Sequence, residues 1–192
     1  MRLPLSHFLL QTHYPTMLPV AIVALVVATI LGAPLARRLG SSRAVAWLLV
    51  SSFGVIMAAT MAPSRLALTV GVSGPITCDL SRLGFAPLSS YLRIDDPIAN
   101  VVIFVPLGLA IALLPRSRSR WALAGAAIAL PFAIEATQAV IVAMDRACET
   151  GDIVDNLTGL FIGLLLGTLL RLALGRGDDR GAGLGTEATR RA

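Results

Sequence analysis

Charge is what this chain has least of. Only 14% of its 192 residues are Asp, Glu, Lys or Arg, against roughly a quarter in a soluble domain. Aromatic residues are also few, at 5%, so the apolar content comes from Ala, Leu, Val, Ile and Gly gathered in long blocks. The scarcity of charge excludes a soluble globular domain, and 56% hydrophobic residues with a mean hydropathy of +0.80 indicate an integral membrane protein. The blocks are about 20 residues long, which suits helices and excludes the alternating ten-residue strands of a barrel. A net charge of +5 could suggest nucleic acid, but arginines flanking membrane helices account for it, so no nucleic-acid partner is expected. Histidine is confined to His7 and His13 in the N-terminal segment, where a solvated role is expected. No HExxH or GxSxG pattern and no internal repeat is present.

The expected fold is all-α: a polytopic helix bundle of about five spans near 17–36, 44–62, 98–114, 121–143 and 153–172. The expected organisation is a short extracytoplasmic segment at 1–16, two helices within 17–62, an extracytoplasmic loop at 63–97, a three-helix core at 98–172 and a disordered cytoplasmic tail at 173–192. Arg2 makes a weak leader charge, and Arg37 and Arg38 directly follow the first apolar block, so that block reads as a retained helix. Arg37, Arg38 and Arg43, then Arg116, Arg118 and Arg120, then the arginines of the tail all fall on one side. The positive-inside tendency makes that side cytoplasmic, with the N-terminus out and the C-terminus in.

That topology puts Cys78 and Cys148 in the two outward loops. Two thiols outside the cytoplasm are expected to oxidise, and closing a loop of about 70 residues contributes on the order of 4 kcal/mol in the chain-entropy view.

The stretch FAIEATQAVIV (132–142) sets Glu135 and Gln138 inside an apolar run, on one helical face. An acid there is costly, and intramembrane acids mark functional sites more often than not. Glu135 falls about 12 Å inside the outer end of its helix at 1.5 Å per residue. Asn100 opens the third span, Asp152 and Asn156 share a face in the first turns of the fifth, and Arg146 lies in the connector between the fourth and fifth. Groups from three helices thus meet at one depth. Asn100, Phe104 and Gly108 repeat at four. Below Asn156 the face continues through Gly159, Gly163 and Gly167, a small-xxx-small stripe suited to close helix packing within the chain or in a homo-oligomer. Pro131, four residues before Glu135, removes one amide from the helix.

The segments NVVIFVPLG (100–108), IEATQ (134–138) and RACETGDIVDNLTG (146–159) together resemble the signature of the VanZ-like membrane family. The resemblance covers about half the chain, roughly 78–172, and its positions fall on Asn100, Phe104, Pro106, Gly108, Glu135, Gln138, Arg146, Asp152, Asn156 and Gly159. Members with paired outward cysteines are familiar in high-GC Gram-positive bacteria. Asp155 stands where the family varies and is set aside from the core set. The resemblance implies a multi-pass protein of the bacterial cytoplasmic membrane, a cell-envelope accessory linked by analogy to teicoplanin-type glycopeptide resistance.

Three readings follow. In the first, an outward polar pocket binds a membrane lipid, a lipid-linked cell-wall precursor or a partner membrane protein, with Arg146 on an anionic group and Asn100, Gln138 and Asn156 supplying neutral hydrogen bonds. In the second, Glu135 or Asp152 is the general base of an intramembrane enzyme. In the third, the polar set only holds helices together. No cofactor or metal is expected, since the carboxylate spacing matches no cation loop.

Overall fold

The computed structural model describes residues 14–63, 78–92, 96–141 and 148–188, with side chains described throughout those ranges except at 14–15, 96 and 175–188. The elements in chain order are α1 (Tyr14–Leu39), α2 (Arg43–Met61), β1 (Cys78–Asp79), α3 (Leu88–Tyr91), α4 (Asp96–Leu113), α5 (Arg118–Val140), β2 (Cys148–Glu149) and α6 (Thr150–Ala188). Among the described residues, four helices are long and apolar enough to cross a membrane: 16–39, 43–61, 118–140 and 150–174, with 97–113 a shorter apolar helix. All five expected spans are present, each shifted by no more than a few residues.

Local chemistry sets the helix ends. After Arg37 and Arg38 in the last turn of α1, Gly40 adopts φ +60°, a left-handed conformation that costs glycine little and closes the helix. The Ser41 amide then donates back to the Ala36 carbonyl at 3.0 Å. Ser42 caps α2 by accepting from the Val45 amide, and Ser117 caps α5 by accepting from the Arg120 amide, each at 3.2 Å. These hydroxyls satisfy amides that a helix start leaves without partners.

α4 is the centre of the bundle. Phe104, Ile111 and Leu114 are buried with Leu49 and Ile56 of α2, Ile134 of α5 and Leu160 of α6. α4 and α6 lie closest, because glycine removes the side chains between them. A Cβ on Gly159 would overlap the Val101 carbonyl, one on Gly163 the Val105 carbonyl, and one on Gly108 the Leu160 carbonyl. Gly167 meets Leu109 and Ala112 of α4 in the same way. The stripe expected from the sequence is therefore spent inside the chain. On the opposite flank α1 packs on α2 through Ala24 and Gly54. Its Leu18, Ile22, Val23, Val26 and Ile30 remain exposed, as a helix facing lipid requires.

The two ends of the bundle differ. At one, Arg171 donates to the Leu114 carbonyl at 2.8 Å and Arg120 to the same oxygen at 3.5 Å, satisfying a carbonyl that the end of α4 leaves open. At the other, β1 and β2 pair in parallel with Cys78 opposite Cys148. The two cysteines form the expected disulfide, with Cα atoms 4.5 Å apart across 70 residues of sequence. Cys78→Ser or Cys148→Ser is expected to lower unfolding stability by up to about 4 kcal/mol, read by thermal denaturation in detergent with and without reductant. An impermeant thiol reagent should label either cysteine of the wild type only after reduction, and labelling of both without reductant would contradict the bond.

Candidate functional site

The disulfide lays the 78–92 segment across the start of α6, and a single arginine fastens it there. Gly151 is the reason it fits: a Cβ at that position would occupy the space taken by the Arg82 guanidinium. Lying over this glycine, Arg82 reaches Asp155 with both terminal nitrogens, Nη2 to Oδ2 at 2.6 Å and Nη1 to Oδ1 at 3.3 Å. Asp155 is fully buried while Arg82 keeps 27% exposure. The Tyr91 hydroxyl at the end of α3 donates to Asp155 Oδ1 at 2.5 Å and accepts from the Ala86 amide at 3.1 Å. The Arg82 Nη1 also donates to the Gly84 carbonyl at 3.2 Å. From α6, the Thr150 hydroxyl donates to the Arg82 carbonyl at 2.9 Å. One buried carboxylate thus gathers a cation, a phenol and the loop that carries both.

The electrostatics follow from the contacts. The hydrogen bonds to Asp155 hold the Arg82 guanidinium above its ordinary pKa, because the carboxylate stabilises the charged form. Tyr91 is also raised, first by burial and then by its bond to Asp155. The phenol accordingly stays a neutral donor through the physiological range.

Beneath this clasp lie the polar residues of α5 and α6. Glu135, 4% exposed, accepts from the backbone amide of Glu149 at 2.8 Å, so α5 holds the strand that carries Cys148. Gln138, three residues on, donates through Nε2 to the Thr60 carbonyl at 2.9 Å, tying α5 to the end of α2. Pro131 is buried one turn earlier, and α5 runs unbroken through it. On α6, Asn156 is buried at 1% exposure. Among the described residues, both Gln138 Oε1 and Asn156 Oδ1 are buried acceptors without a hydrogen-bond partner. Native interiors rarely leave such groups unmet.

Among the residues expected from the sequence, Glu135, Gln138 and Asn156 are the buried set. Asp152 is half-buried in the first turn of α6, and its charge acts on both Glu135 and Arg82. Asn100 is half-buried at the start of α4 and, among the described residues, makes no hydrogen bond to the others. Arg146 lies outside the described residues. Phe104 is fully buried and Gly108, Gly159, Gly163 and Gly167 form the α4–α6 contact, while Pro106 is half-buried within α4. Asp155, set aside from the sequence, binds both Arg82 and Tyr91. Arg82 and Tyr91 were missed: they lie in a loop without helical or strand periodicity, far from Asp155 in sequence. A buried acid in the first turns of a membrane helix demands a cation, and that demand was the available signal. Among the described residues no cluster of three or more His, Cys, Asp or Glu could hold a metal ion.

These features define a multi-pass α-helical membrane protein whose last two spans carry a buried polar set beneath a disulfide-held cap. The family model for VanZ/LLP1 matches residues 20–171, and the chain belongs to that family. The match takes in α2 and most of α1 as well as the segments with the motif residues. Comparison with curated proteins and with solved structures found no match.

Proposed function

We propose that this chain is a cell-envelope accessory of the bacterial cytoplasmic membrane, its capped end outward, that receives the polar head of a lipid-linked cell-wall ligand at Glu135, Gln138 and Asn156. The observation that carries the reading is the pair of acceptors unmet among the described residues, Gln138 Oε1 and Asn156 Oδ1, with the buried Glu135 one turn from Gln138 on α5. Such a set is rich in acceptors and selects a ligand bearing hydroxyl or ammonium donors. The cap supports a lipid attachment: Leu83, Phe85, Leu88 and Leu92 are all more than 70% exposed, an apolar rim above a polar interior. The arginine-rich opposite end supports the orientation by the positive-inside tendency, and the disulfide supports an oxidising compartment for the cap. Glycopeptide tolerance of the teicoplanin type is the phenotype such a role would affect.

The test uses the protein in nanodiscs with a polyprenyl-pyrophosphate-linked disaccharide as probe. Asn156→Leu is expected to weaken binding about tenfold or more, the order of one to two hydrogen bonds, while the melting temperature without ligand stays level or rises. Relieving a buried unmet acceptor is itself worth about 1–3 kcal/mol. A second reading, in which the set only joins helices, is favoured by the Glu135–Glu149 and Gln138–Thr60 bonds. It requires that the wild type bind no probe and that Asn156→Leu alter stability alone. Glu135→Gln should retain most binding and Glu135→Ala should lose it. If both variants bind the probe normally yet abolish an effect on teicoplanin susceptibility in cells, Glu135 acts as a base.

A further inference from the structure

A second site lies at the other end of the bundle and does not depend on the reading above. Between α2, α4 and α5 is a cavity of about 350 Å³, within the range of about 300–1,000 Å³ usual for small-molecule sites. Leu49 and Phe53 of α2, Leu107 and Ile111 of α4, and Leu123 and Leu130 of α5 line it. Its wall is almost wholly hydrocarbon, so water gains no hydrogen bonds inside it. Phe53 is 48% exposed and Ala126, also on the lining, is exposed, so the cavity opens sideways between α2 and α5, where lipid tails lie. Along α5 the lining from Leu123 to Leu130 spans about 10 Å at 1.5 Å per residue. It stops five residues short of Glu135.

The cavity ends among arginines. Leu123 is one turn from Arg120, and Ile111 one turn from Leu114, whose carbonyl receives both Arg120 and Arg171. The charges of Arg171 and Arg116 act on Arg120, so three guanidiniums crowd one corner. Among the described residues the ion pair that forms is Arg82–Asp155 at the opposite end, and no carboxylate neutralises this corner. Trp121, 68% exposed, lies under the Arg120 guanidinium at 5.8 Å, an arrangement typical of the membrane–water boundary. An apolar slot that opens to the bilayer and leads to cations without a carboxylate partner among the described residues matches one molecule from end to end.

We propose that an anionic phospholipid binds here, one acyl chain in the cavity and its phosphate on Arg116, Arg120 and Arg171. Guanidinium pairs well with phosphate through its paired donors, and basic corners between membrane helices select anionic headgroups.

Purified protein delipidated in mild detergent provides the test, read by native mass spectrometry and thermal shift. Phosphatidylglycerol is compared with phosphatidylcholine of identical chains, and with soluble glycerol phosphate. The wild type is expected to retain phosphatidylglycerol and to be stabilised by it at roughly thirty- to hundredfold lower concentration than by phosphatidylcholine, the order two to three arginines supply. Arg116→Gln with Arg120→Gln should cut that preference to the roughly fivefold that Arg171 alone supplies and leave chain binding in place. Ala126→Phe should displace both lipids without lowering the lipid-free melting temperature, and Val50→Phe on the opposite wall serves the same end if that variant does not fold. Equal affinity of the wild type for the two lipids would overturn the proposal. So would retention of lipid by the filled-cavity variants, or equal protection by glycerol phosphate alone.

Discussion

Asp155→Ala should be among the most damaging single substitutions in this protein. It is expected to cost on the order of 3 kcal/mol in unfolding stability, toward the lower end for breaking a buried ion pair because Arg82 stays partly solvated. The variant leaves the guanidinium over Gly151 without its hydrogen-bonded carboxylate and removes the acceptor of the Tyr91 hydroxyl. Two anchors of the 78–92 segment are lost together, and Thr150, the β1–β2 pairing and the disulfide still hold it. Asp155→Asn preserves an acceptor for Tyr91 and loses the charge, so it should fall between wild type and alanine. Thermal denaturation in detergent measures the first effect. Limited proteolysis of the 78–92 segment measures the second, and faster cleavage in Asp155→Ala than in Asp155→Asn is the expected order. Wild-type stability and cleavage in the alanine variant would show that the clasp holds nothing.

Gly159→Leu and Gly163→Val should be as severe by a different route. Neither position has room for a Cβ, since the backbone carbonyls of Val101 and Val105 occupy the space. Backbone atoms cannot rotate aside as a flexible side chain can. The helices must separate, and close packing, the main attraction between apolar helices in lipid, is lost along their contact. A penalty of about 3 kcal/mol, the upper end for overpacking, would reduce the yield of folded protein in size-exclusion chromatography. Gly125→Ala is the matched control. Nothing lies within 4 Å of the added carbon there, so alanine should be neutral or stabilise α5 by about 0.5–1 kcal/mol through helix propensity. Equal behaviour of Gly125→Ala and Gly159→Leu would refute the close approach.

The contrast between these two regions explains how far the structure was legible beforehand. Helices followed from hydropathy because lipid forces backbone bonds inside each segment, so residue order alone locates them. The glycine stripe was legible because residues four apart share a face, which is why Gly159, Gly163 and Gly167 could be aligned before the contact was seen. The cysteine pair was reached through topology, since both flank spans at one end. Arg82–Asp155 was not. It joins groups 73 residues apart through a loop whose path no periodic rule describes, and nothing local distinguishes Arg82 from other loop arginines. Glu135 and Gln138 were placed on the correct face. Their partners, the Glu149 amide and the Thr60 carbonyl, are backbone groups that side-chain patterns do not reveal.

The β1–β2 pairing has a consequence for the order of assembly. Cys78 leaves the ribosome long before Cys148, and Asp155 later still, so the 78–92 segment spends much of synthesis without the groups that hold it. Only when α6 has inserted and brought Gly151 and Asp155 to the same face of the membrane can the guanidinium settle and the sulfurs meet. The cap can therefore close only after α6 has begun to insert. Its closure reports that the outer end of α6 has reached its place.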